Sequence, residues 1–165
     1  EWKKENFDGE IWRIGDTYNT AIGQYGFQAT PLQVARAVSA IANGGYLVEP
    51  MILKGGISGK AEKLPVSDED LKVVREGMRL ATLEGTGKVL FLSGVKIASK
   101  TGTAELGEAK QNVNSWVVGF FPYENPRYAF AVVMEEGPAR NLVGSSFVFR
   151  RVLEWMLGNT PEYFK

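Results

Sequence analysis

The chain has neither histidine nor cysteine among its 165 residues, and that double absence excludes more chemistry than most motifs establish. A Ser-His-Asp triad, a thiol nucleophile, a thiolate zinc site and a histidine-ligated metal site cannot be built from these residues. Any acid–base work falls to lysine, carboxylate or tyrosine. The lack of cysteine is compatible with any redox compartment. Net charge is missing too: 19 basic residues balance 19 acidic ones, so no global field favours nucleic acid or an anionic membrane. No apolar run reaches the roughly 18 residues of a membrane helix, and no signal-peptide pattern is present. The chain opens on Glu1-Trp2-Lys3 without an initiator methionine. The expectation is therefore a piece of something longer, with any membrane anchor upstream.

A hydrophobic fraction of 44% with 12% aromatics suits a soluble globular domain with a core of its own. The first 29 residues read as turn-rich, punctuated by Asp8-Gly9, Gly15-Asp16, Gly23 and Gly26. Thr30-Pro31-Leu32-Gln33 then starts a helix: Thr30 as N-cap, Pro31 at the first helical position and Gln33 completing a capping box. Leu32, Ala35, Val38, Ile41 and Ala42 give it a small apolar face, and Gly44-Gly45 ends it. A strand over 46–53 is expected to be broken or at an edge because of Pro50. Ser67-Asp68-Glu69-Asp70 starts a second helix, with Leu71, Val74, Met78 and Ala81 at helical spacing and Gly85 and Gly87 closing it.

Strands are expected over 95–104, 115–121 and 128–135, the last two joined as an antiparallel hairpin across Pro122 and Pro126. Residues 143–157, with Phe147, Val148, Val152, Trp155 and Met156, read as an amphipathic helix ending at Gly158. The fold class is α/β of the α+β type: an antiparallel sheet with helices packed on it.

Lys100, Thr101, Gly102 and Thr103 are the candidate site. At the end of a strand, a cation and two hydroxyls on alternate positions can hold an anion, because alternate side chains share a face. Gly102 lets a substrate lie against the backbone. Lys100 adds positive charge, or a proton-transfer group if burial lowers its pKa.

Three other motifs are set aside. G-V-K-I-A-S-K-T over 94–101 has Ser99 where a phosphate loop requires glycine, and no helix follows it. Gly85-Thr86-Gly87-Lys88 is better explained as a helix C-cap. Ser93-Gly94-Val95-Lys96 has the letters of a Ser-x-x-Lys nucleophile motif but lies in a turn leading into a strand, where residues three apart face opposite ways. Arg150-Arg151 reads as a solvated helix face.

Together these segments resemble the C-terminal part of the transpeptidase domain of a class B penicillin-binding protein, of the penicillin-binding protein 2 type. Gly15-Asp16-Thr17-Tyr18-Asn19-Thr20-Ala21-Ile22-Gly23-Gln24, then Ala29-Thr30-Pro31-Leu32-Gln33-Val34-Ala35 and Ile41-Ala42-Asn43-Gly44-Gly45, are similar to the segment before that family's third motif. Lys100-Thr101-Gly102-Thr103-Ala104-Glu105 resembles the motif itself, and Asn114-Ser115-Trp116-Val117-Val118-Gly119-Phe120 the strand after it. Tyr25-Gly26 departs from the pattern, which often places the glycine directly after the glutamine. The family's Ser-x-x-Lys nucleophile and Ser-x-Asn motifs have no credible copy, so residues 1–165 match the later part of a domain whose nucleophile-bearing part is absent.

The resemblance implies a partial serine β-lactamase/transpeptidase-like fold and a D,D-transpeptidase. Such an enzyme acylates its serine with a peptidoglycan stem peptide ending in D-Ala-D-Ala, releases the last D-Ala, passes the acyl group to a neighbouring amine, and is trapped by β-lactam antibiotics. Thr101 and Thr103 would bind the carboxylate, the Thr103 N–H would be an oxyanion donor, and Lys100 would support proton transfer. No cofactor, metal or nucleic acid is implied. The expected location is the outer side of the bacterial cell membrane, in cell-wall and cell-shape synthesis. A D-Ala-D-Ala carboxypeptidase, a serine β-lactamase relative and a non-enzymatic β-lactam sensor share the Lys-Thr-Gly strand. Cut from its other half, the chain is expected to be inactive, and to self-associate or fold only marginally.

Overall fold

In a computed structural model, residues 1–24, 27–53, 59, 61–107, 111–141 and 143–164 are described; the Tyr25-Gly26 departure lies outside them. The turn-rich opening holds two short helices, α1 (Trp2–Asn6) and α2 (Ile14–Ala21). Gly15-Asp16 is therefore the first turn of a helix and not a turn between elements. Asp16 accepts a hydrogen bond from the Arg13 backbone N–H and one from the buried Lys3 ammonium, at 2.7 and 2.8 Å. That local cap bond and the long-range bond from Lys3 offset the glycine's poor helix propensity.

Helix α3 (Pro31–Ala42) has the expected capping box: Gln33 N–H donates to Thr30 Oγ1 at 3.2 Å and Thr30 N–H to Gln33 Oε1 at 2.8 Å. The expected strand after it shrinks to β1 (Tyr46–Leu47), paired antiparallel with β2 (Glu62–Lys63), a partner that its two-residue length hides in the sequence. Pro50 lies beyond the paired part, as a residue without a backbone donor should. Helix α4 (Asp68–Leu83) starts on Ser67, whose Oγ accepts from Asp70 N–H at 3.0 Å.

Strands β3 (Ala98–Leu106), β4 (Asn112–Phe121) and β5 (Tyr128–Pro138) form an antiparallel sheet in the order β3-β4-β5. Helix α5 (Ser145–Asn159) follows. β3 starts later than expected because Val95 bridges back to Leu92 around a turn before the ladder begins. Gly158 lies inside α5 and does not end it.

The sheet has a core on each face. Val117, Phe121 and Phe130 pack with Phe149 and Leu153 of α5 and with Leu90, Val95 and Ile97. On the other face Ala98 and Phe120 pack with Val38 and Ala42 of α3 and Met78 of α4. The mixed antiparallel sheet with helices on it is the expected class.

The helix at the C-terminal end is amphipathic the other way round from its most apolar letters. Phe149 and Leu153 are buried, while Phe147, Val148, Val152 and Trp155 face outward. Arg150 is no solvated residue. Its guanidinium donates to the Val89 carbonyl at 2.7 Å and the Phe91 carbonyl at 3.2 Å, and to Glu154 at 2.7 Å. Arg151 does face solvent.

Candidate active site

β3 brings the four candidate residues to a sheet edge that, among the described residues, has β4 on one side and no strand on the other. Lys100 stands opposite Val118, Thr101 opposite Val117, Gly102 opposite Trp116 and Thr103 opposite Ser115. Directly opposed residues share a face, so Thr101 and Thr103 both lie on the α5 side and Lys100 and Gly102 on the other. Thr103, Gly102 and Lys100 are exposed and Thr101 is half-buried. Lys100 leaves from the face opposite the threonines, and its ammonium donates to the Thr101 carbonyl. The Thr103 carbonyl accepts from Gln24 Nε2 at 3.1 Å. In an antiparallel ladder the N–H and C=O of one residue turn to the same side. The Thr103 N–H therefore looks out over the open edge as well.

Hydroxyls crowd around the threonine pair. Thr101 Oγ1 lies 2.6 Å from Thr86 Oγ1, and one strand step earlier the buried Ser99 Oγ lies 2.8 Å from Thr82 Oγ1. Ser115, across from Thr103, accepts from the Ser145 N–H at 3.1 Å, with the two Oγ atoms 3.2 Å apart. The start of α5 is thereby fixed beside Thr103. A Cβ on Gly102 would make only an ordinary contact, 3.5 Å from Trp116 Cβ. Packing within the chain does not require glycine there.

Sequence reasoning missed three contributors. In the sequence Thr86 reads as part of a helix-ending signal, and the structure has that cap: Gly85 N–H and Gly87 N–H both reach the Ala81 carbonyl, at 3.1 and 3.0 Å. Gln24 lies 79 positions before Thr103, so no local pattern joins them. Ser145 shows only as a polar residue at a helix start. The Ser93-to-Lys96 decoy stays a decoy. Ser93 is exposed in the turn between Leu92 and Val95, and Lys96 pairs with Glu124. The Lys96 hydrogen bond holds the Glu124 carboxyl below the usual carboxylate range.

The helix-backed antiparallel sheet has the serine acyltransferase fold of solved transpeptidase domains. Residues 4–154 match the penicillin binding protein transpeptidase domain, and the chain belongs to that family. Penicillin-binding protein H of Bacillus subtilis is 41% identical over 138 residues, which cover 69% of this chain and 19% of that protein. The peptidoglycan D,D-transpeptidase MrdA of Acinetobacter baumannii is 32% identical over 83% of this chain and 24% of its own length. The imipenem acyl-enzyme complex of penicillin-binding protein A from M. tuberculosis superposes with a TM-score of 0.74 at 31% identity, covering 90% of this chain and 35% of that one. The chain thus spans about a fifth to a quarter of the curated relatives' length. Among the described residues no helix is long and apolar enough to cross a membrane.

Proposed function

We propose that this chain is the later part of a peptidoglycan D,D-transpeptidase domain and supplies the Lys-Thr-Gly-Thr wall of its site. The observation that carries the reading is the open edge of β3, with Thr101 and Thr103 on one face and the Thr103 N–H turned outward. On this reading the two hydroxyls take the carboxylate of a stem peptide ending in D-Ala-D-Ala, or of a β-lactam. The Thr103 N–H steadies the oxyanion that forms when a serine from the preceding half of the domain attacks the carbonyl, a role typically worth about 10²–10³ in rate. Lys100 keeps positive charge at the edge and supports proton transfer with groups from that other half. The serine is acylated, the terminal D-Ala leaves, and a neighbouring strand's amine takes the acyl group. The site works on the outer face of the bacterial membrane.

The test compares the 165-residue chain alone with the full-length protein, each incubated with labelled penicillin and analysed by mass spectrometry. The expected outcome is a covalent adduct on the full-length protein and none on the chain alone. An adduct at Ser93 of the isolated chain would overturn the division of labour. In the full-length protein, Thr103→Val keeps the backbone N–H and removes the hydroxyl. Acylation by carboxylate-bearing β-lactams should weaken by about 1–3 kcal/mol, the worth of one charge-assisted bond. Unchanged second-order rates would mean that Thr103 does not touch the carboxylate.

A further inference from the structure

Residues 84–87, between α4 and the 3₁₀ turn at Lys88–Leu90, are pressed against the candidate strand. A Cβ on Gly87 would sit 2.4 Å from Ser99 Oγ and 3.1 Å from the Ala81 carbonyl oxygen, and one on Gly85 would sit 3.0 Å from Ala81 Cα. Only glycine fits at 87. The chain crosses the β3 edge here, since Met78 belongs to the core on one sheet face and Leu90 to the core on the other. The close approach sets two hydroxyl pairs along the strand, Thr82 with Ser99 and Thr86 with Thr101.

The two pairs differ in what they leave free. Thr82 and Ser99 are fully buried, and Thr82 Oγ1 also contacts the Met78 carbonyl oxygen at 3.4 Å. Thr86 is exposed and Thr101 half-buried. Two hydroxyls that share one hydrogen bond have two protons, one in the bond and one to give away. At 2.6 Å the contact holds the Thr101 oxygen in place, and with Thr86 as the donor, one of the two directions the contact allows, the Thr101 proton is the one left for a ligand. A pre-oriented donor loses less on binding an anion than a free one.

We propose that Thr86 is a positioning residue for the anion-binding hydroxyl of Thr101, and that residues 85–87 belong to the carboxylate subsite. This rests on the reading that Thr101 and Thr103 take a carboxylate, and the experiment separates the two. Thr86→Val, Thr86→Ser and Thr103→Val are made in the full-length protein, and second-order acylation is measured with benzylpenicillin and with its methyl ester, which lacks the anion. Thr86→Val keeps the side-chain shape without the hydroxyl. It should slow benzylpenicillin about tenfold and the ester less than twofold, the scale of one hydrogen bond to a charged group. Thr86→Ser should restore both rates to within twofold.

Equal slowing of both compounds by Thr86→Val, or no slowing, would overturn the proposal, and so would a failure of Thr86→Ser to restore the rate. If Thr103→Val separates acid from ester and Thr86→Val does not, the positioning role alone falls. If Thr103→Val does not separate them either, the carboxylate reading falls and takes this one with it.

Discussion

Two glycines in neighbouring strands divide packing from function. Gly119 is buried, and a Cβ there would lie 2.1 Å from the Ala98 carbonyl oxygen and 2.7 Å from the Phe130 ring. Gly119→Ala must displace backbone, so it should cost about 3 kcal/mol or more of stability in urea unfolding. Gly102→Ala meets only Trp116 Cβ at 3.5 Å and should change stability by less than about 1 kcal/mol. It should slow acylation of the full-length protein if a ligand also approaches β3 from the face opposite the two threonines, where the added methyl group projects. Normal acylation by Gly102→Ala would show that nothing approaches β3 there.

Asp16 carries the pH dependence at this scale. The Lys3 hydrogen bond, then the Arg13 backbone N–H, hold its carboxyl below the usual carboxylate range. A depressed folded pKa gives stability that is complete above the ordinary value of about 4 and fades as pH falls through the lower folded value. Melting temperature should therefore drop on acidification below about pH 4. Asp16→Asn should lower it at neutral pH, because the Lys3 ammonium, only 4% exposed, loses the charge of its 2.8 Å carboxylate partner. It should also flatten the acid part of the profile. An unaltered profile in Asp16→Asn would mean that other carboxylates carry the acid sensitivity.

At the level of elements, α5 shows what burial does that letters do not. Leu153→Ala empties a fully buried position and should cost about 2–5 kcal/mol. Val152→Ala, one residue away and 44% exposed, should cost less than about 0.5 kcal/mol in the isolated chain. Urea unfolding of the pair checks which face is buried, and comparable costs would reverse the assignment. The sequence marks α5 as amphipathic but does not say which apolar stripe goes inward, because Phe147, Val148, Val152 and Trp155 compete with Phe149, Leu153 and Met156. The starts of α3 and α4 were legible since their caps are local, three residues from cap to partner. Helices α1 and α2 were not, being too short for periodicity and held by the Lys3–Asp16 pair across 13 positions. At the site the strand, its alternation and its four residues were legible. The partners that fix it were not, because Thr86, Gln24 and Ser145 reach it through tertiary contacts alone.

The whole molecule raises the question of what covers its open surfaces. Among the described residues, β5 has no strand on its outer side, and its 129–134 stretch is Ala-Phe-Ala-Val-Val-Met, without a charge or a proline to blunt it. An uncapped edge of that composition is a template for pairing with another chain. The outer face of α5 adds a groove lined by Val143, Phe147, Val148, Arg151, Val152 and Trp155, five of its six residues apolar. The opening segment adds Ile11, Trp12, Ile14, Tyr18 and Ile22, each at least 49% exposed. Two well-formed cores argue for folding, and three apolar surfaces argue against staying alone. The isolated chain should therefore self-associate or melt with low cooperativity, with the weight-average mass from sedimentation rising across a concentration series. The full-length protein, in which the rest of the domain is expected to cover these surfaces, should show no such rise under the same conditions. A concentration-independent monomer of the isolated chain with a sharp melt would mean that residues 1–165 close their own sheet, and β5 could not then be the seam to the rest of the proposed domain.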